Sequence, residues 1–257
     1  MIMSHNHAGT FTRLIGAALV GLSFAASSAE ISIYSAGAVK PALSEVATNY
    51  EKATGHHITV LYAPVGTLMR RLAEGEMPDA VVLTEDVMAE AEAKGWVKSG
   101  TAFALGGVGV GVAVREDALS PDISTPESFR QTLLDAKSIT YIDPEKGTSG
   151  RHFAEVLRKL GIAEAMKAKT RLGDSGYVVE PVARGEIELG IQQITEILPV
   201  KGVKLVGPLP EPLQKITVYA AAATSGARDP EALRGFFSYL HGAESRRIFT
   251  GKGFLEP

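Results

Sequence analysis

The sequence predicts an α/β protein of two lobes with a ligand cleft between them, and three observations predict it. Short β-rich runs alternate with amphipathic helical stretches, the pattern of mainly parallel sheets covered by helices. Two strands of small and β-branched residues, 106–114 and 216–222, share a composition that suits chain crossings from one lobe to the other. Glycine-bearing turns close four of the β runs, and in open sheets such turns are where ligands bind.

The elements follow in order. Arg13, an apolar run over 14–26 and the small residues Ser27, Ser28 and Ala29 read as an export signal, 1–29, cut before Glu30. That run falls short of the roughly 20 residues of a spanning helix, so the mature chain is expected in the periplasm without stable membrane insertion. Residues 31–34 form the first strand. Residues 41–53 carry Leu43, Val46, Ala47 and Tyr50 at helical spacing, with Pro41 in the first turn and Gly55 as C-cap. Ile58, Val60 and Tyr62 alternate as a strand; 67–74 is helical with Leu68 and Leu72 inward. The unbroken apolar run 80–83 is a strand buried on both faces. A second α/β stretch spans about 127–209, and 231–249 is helical and returns to the first lobe. The expected division is 30–110 with 218–257 as lobe 1, and 111–217 as lobe 2.

Composition removes several function classes. Lys and Arg number 26 against 29 Asp and Glu, a net charge of −3 that gives no basic footprint for nucleic acid. The glycines of 106–114 do not fit G-x-G-x-x-G and lead into no apolar helix, so no dinucleotide is implied. His56 and His57 are adjacent and point to opposite faces of a strand, which leaves no metal site. No G-x-S-x-G elbow is present. No cofactor is expected.

The four turns carry the functional expectation. They hold Ser35, Ala36, Gly37 and Ala38; Val65, Gly66 and Thr67 after Pro64; Ser149 and Gly150, with Arg151 and His152; and Tyr177 and Val178 after Gly176. A turn that opens directly into a helix leaves unpaired backbone N–H groups at the positive end of the dipole, which favours an anion. Lys40, Arg70, Arg151 and Arg184 lie within two helical turns of these positions, and guanidinium forks suit carboxylates. The expected ligand is a small anion, and the cationic supply favours a di- or tricarboxylate.

The first turn, the segment 50–55, Gly66-Thr67-Leu68, Ala73-Glu74-Gly75 and Pro78-Asp79-Ala80-Val81 together resemble the periplasmic molybdate-binding proteins of ABC importers. Asp143-Pro144, Gly150-Arg151, Leu160-Gly161, Gly185-Glu186, Leu189-Gly190-Ile191 and Gly253-Phe254 continue the likeness in order. The resemblance implies the two-lobed (type II) solute-binding fold and an ABC permease as partner. It also implies three hydroxyl ligands to an oxyanion, two serines and a tyrosine, at positions that here hold Ala38, Val65 and Gln193. Their loss weakens the expectation of molybdate. The same family is similar to aconitate isomerase, which interconverts trans- and cis-aconitate; on that likeness His152 is the leading candidate base, with Tyr177 or Glu180 as alternatives.

Overall fold

The computed structural model describes residues 1–3 and 28–256, so most of the expected export signal lies outside the described residues. The first α/β unit runs β1 (Glu30–Ala36), α1 (Lys40–Thr54), β2 (His57–Ala63), α2 (Val65–Ala73), β3 (Ala80–Thr84), α3 (Glu85–Ala93) and β4 (Phe103–Val108). The second runs β5 (Val110–Arg115), α4 (Pro126–Asp135), β6 (Ile139–Ile142), α5 (Thr148–Lys159), α6 (Ala163–Met166), β7 (Thr170–Gly173), α7 (Glu180–Ala183), β8 (Leu189–Gln193), α8 (Ile194–Ile197) and β9 (Val203–Pro208). The chain then returns through β10 (Thr217–Ala223) to α9 (Pro230–Leu240) and α10 (Ala243–Gly251).

These strands form two five-stranded sheets, ordered β2-β1-β3-β10-β4 and β7-β6-β8-β5-β9. Each is parallel where helices connect its strands and antiparallel where the crossing strand joins: β1 pairs in parallel with β2 and β3, while β10 runs against β3 and β4. In the second sheet β6 is parallel to β7 and β8, and β5 runs against β8 and β9. The glycine-valine run is therefore two strands in two sheets, with Gly109 between them. Gly106 sits at φ 142°, where a Cβ would lie 2.6 Å from the Leu255 carbonyl oxygen, so only glycine fits that crossing.

Each sheet has its own core. Leu43, Val46 and Tyr50 of α1, Leu68 and Leu72 of α2, and Phe236 and Phe249 of the C-terminal helices bury against the first sheet. Phe129, Leu133, Phe153 and Val156 bury against Ile139 and Ile191 of the second. Each such side chain contributes roughly 1.5–3 kcal/mol of transfer free energy.

Two expectations need correction. The helical stretch 231–249 is two helices, broken at His241 and Gly242, where the Ser245 hydroxyl donates to the Tyr239 carbonyl (2.8 Å). The turn at 174–178 does not open directly into a helix: Gly176 adopts a left-handed conformation (φ 69°), an irregular turn follows, and α7 is only four residues long.

Candidate functional site

The parallel arrangement aims the carboxyl ends of β1, β2, β6 and β8 at one crevice, a cavity of about 430 Å³ with walls from both sheets. From the first lobe come Ala36 at the end of β1 with Gly37 and Ala38 beyond it, Lys40 at the start of α1, Tyr62 and Ala63 at the end of β2 with Pro64 and Val65 beyond them, and Tyr219 of β10. From the second come Ile142 at the end of β6 with Gly147, Thr148 and Ser149 beyond it, Ser175, Gly176, Tyr177 and Glu180 after β7, and Gln192 and Gln193 at the end of β8 with Glu196 beyond them.

Two helices present their first turns to this space. Pro64 caps α2 and Gly147 caps α5 without any side-chain hydrogen bond, so the amides at Val65, Thr148 and Ser149 lie at helix starts that no side chain has claimed. The positive dipole ends favour negative charge beside them. Lys40 adds a full charge, its Nζ 5.7 Å from the Tyr62 ring centre and 5.6 Å from that of Tyr177. The Tyr62 hydroxyl lies 2.9 Å from Ser44 Oγ, and burial pushes it up to about 12, so it stays a neutral hydrogen-bonding group. Burial also raises Tyr177, helped by Glu196 and Glu180, and raises Tyr219 well above the phenolic range.

The floor is polar and buried. Gln192 donates through Nε2 to the Gly176 carbonyl (2.8 Å), and Gln193 through Nε2 to the hydroxyls of Tyr219 (3.2 Å) and Thr217 (3.4 Å). The Oε1 atoms of both glutamines are buried without a hydrogen-bond partner. Glu196 stands beside them on α8, and burial pushes its carboxyl up to about 8 against an opposing contact from Gln192. Its Oε1 would be 2.9 Å from a Cβ at position 37, so glycine there makes room for the carboxyl. Thr195 ties the lobes together by donating to the Ala38 carbonyl (2.8 Å), as does the Gly66 amide donating to the Lys146 carbonyl (3.1 Å).

Of the residues expected from sequence, Ala36, Gly37, Ala38, Val65, Ser149, Tyr177 and Gln193 line the cavity, with Lys40 and Glu180. Ser35 lies behind it, fully buried, its hydroxyl turned to the Ala36 carbonyl (3.2 Å). Gly66, Thr67, Gly150 and Val178 lie outside the lining, and Arg70, Arg151 and Arg184 are exposed, the last paired with Glu186 (2.6 Å). His152 is one turn further along α5, also outside the lining. Its Nε2 lies 2.8 Å from the Leu213 carbonyl, and burial holds the imidazole below its ordinary value. Sequence reasoning did not single out Gln192, Glu196 or Tyr219: β8 and β10 read as buried strands, and a lone Glu in Ile-Thr-Glu-Ile carries no motif.

Among the described residues no helix is long and apolar enough to cross a membrane, and no His, Cys, Asp or Glu cluster could hold a metal. The chain is 34% identical over 233 residues to aconitate isomerase of a Pseudomonas species, covering 88% of this chain and 87% of that protein. It is 27% identical to the molybdate-binding protein ModA of Escherichia coli, covering 88% of each. The solved periplasmic molybdate-binding protein of Azotobacter vinelandii has the same fold, with a TM-score of 0.76 at 18% identity over 88% of this chain and 99% of the other. The pattern of the bacterial extracellular solute-binding proteins matches residues 31–255, so the two sheets, the crevice and the sequence agree: the chain belongs to that family.

Proposed function

We propose that this chain binds an unsaturated tricarboxylate in the cleft and moves a proton across its allylic system, interconverting trans- and cis-aconitate. The observation that carries the reading is Glu196, a carboxyl held at about 8 inside a cavity otherwise suited to anions. Below that value the carboxyl is neutral and can donate a hydrogen bond to an anionic guest, and once ionised it supplies the base at carbon that an allylic shift needs. A carboxylate of such proton affinity is a far stronger base than an ordinary one at 4.5. It takes a proton from the methylene carbon, the electron pair moves into a new double bond, the old double bond opens, and the former vinylic carbon receives a proton. Atoms and charge balance without a cofactor.

Lys40 and the first-turn amides of α2 and α5 would hold the carboxylates and absorb the charge that develops in the transition state. Tyr62, Tyr177 and Tyr219 would screen the reacting carbons from water. Residues 1–29 would direct the chain to the periplasm. The test is incubation of the purified protein with trans-aconitate and proton NMR for the cis isomer. Glu196→Gln is expected to lower kcat by about 100-fold or more. The uncapped starts of α2 and α5 favour a second reading, a carboxylate receptor serving an ABC permease. Tight binding of aconitate with no interconversion would replace the first reading by the second.

A further inference from the structure

Gln192 is 1% exposed and lines the cleft, and its amide can face only one way. Its Nε2 is committed to the Gly176 carbonyl at 2.8 Å, a group that can only accept. A turned amide would set oxygen against oxygen. The partnerless Oε1 is therefore a fixed acceptor, unlike that of Gln193, whose hydroxyl neighbours can donate or accept. A buried acceptor without a donor is costly, and a fully ionised polycarboxylate brings no donor to it.

Charge points the same way. The charged and titratable groups around the cleft are Lys40 on α1, Tyr62 on β2, Tyr177 before α7, Glu180 on α7, Glu196 on α8 and Tyr219 on β10. One ammonium and the helix starts, each equivalent to about half a positive charge, face two carboxyl side chains. They do not balance a trianion.

We infer that the cleft takes its polycarboxylate with one carboxyl group protonated, the ligand O–H donating to Gln192 Oε1. This rests on the tricarboxylate reading above and deepens it by naming the protonation state in which the guest is held.

The experiment uses tricarballylate, a saturated tricarboxylate with no allylic proton to move, so turnover plays no part in it. Calorimetric titration into the full-length Glu196→Gln protein at about pH 8, in HEPES and in Tris, reads the protons taken up. Uptake close to one per ligand is expected, with affinity falling about tenfold for each pH unit above the highest ligand pKa. Gln192→Met, which keeps the shape and removes the acceptor, should abolish the uptake and flatten the slope. Binding to Glu196→Gln without proton uptake, or uptake unchanged in Gln192→Met, overturns the inference while leaving the aconitate reaction standing. Absence of binding overturns both. Should Gln192→Met fail to fold, carbon-13 NMR of carboxyl-labelled tricarballylate bound to Glu196→Gln decides. One carboxyl carbon displaced toward the protonated position supports the inference, and three at the ionised position reject it.

Discussion

Glu196 links the proposed chemistry of the site to the stability of the fold. Its carboxyl titrates near 4.5 when exposed and at about 8 here, so the folded chain holds a proton that the unfolded chain has released. Stability from this group is full below about pH 4.5 and is lost as the pH rises through 8, a change on the order of 5 kcal/mol. Glu196→Gln should remove that slope, and thermal unfolding at a series of pH values would show the variant gaining on the wild type between about pH 5 and 8. Asp79 has the opposite sign. Burial pushes its carboxyl up, but Arg228, whose Nη2 lies 2.7 Å away, and the amide and hydroxyl of Ser32 hold it well below the usual carboxylate range. Its contribution is present above the exposed value near 3.8 and fades as the pH falls below it. Neither role is readable from sequence. Asp79 falls in a family-like Pro-Asp-Ala-Val run and Glu196 in none, and each acquires its surroundings from strands or turns far away in the chain.

At the scale of elements, patterns within one helix or strand were readable, and those set by two elements meeting were not. The spacing of Leu43, Val46 and Tyr50 gave the buried face of α1, and the unbroken apolar run gave β3, buried at every position. The sequence also placed backbone donors at the starts of α2 and α5, whose turns contribute Val65 and Ser149 to the cleft. The turn at 174–178 misled because Gly176 resembles a helix start, whereas its left-handed conformation bends the chain before α7 begins. Asp79 fastens the start of β3 to β1 through Ser32 and to the segment before α9 through the Arg228 amide (2.8 Å). Asp79→Ala would leave these donors without their acceptor, and urea unfolding should show a loss of about 3 kcal/mol.

Across the whole molecule, alternation of strands and helices was enough to read two lobes, because each sheet buries its own hydrophobic set. The proposed guest's chemistry was harder to read, since the cavity-lining residues that would select it come from β8, α8 and β10, separated in sequence and joined by the crossing strands. A ligand that spans both lobes stabilises them together. Tricarballylate at 100-fold over its dissociation constant should add about 2.7 kcal/mol in thermal unfolding, whereas molybdate and sulfate, lacking hydroxyl partners at Ala38, Val65 and Gln193, should give no measurable shift. The bond from the Gly66 amide to the Lys146 carbonyl makes the two rims meet. Such a seam would act as a latch, holding a captive molecule until it parts. Gly66→Ala would drive a methyl group to 3.1 Å from the carbonyl oxygens of Glu145 and Lys146, propping the jaws ajar. Stopped-flow measurements should then record a shorter dwell time, while the rate of capture changes little.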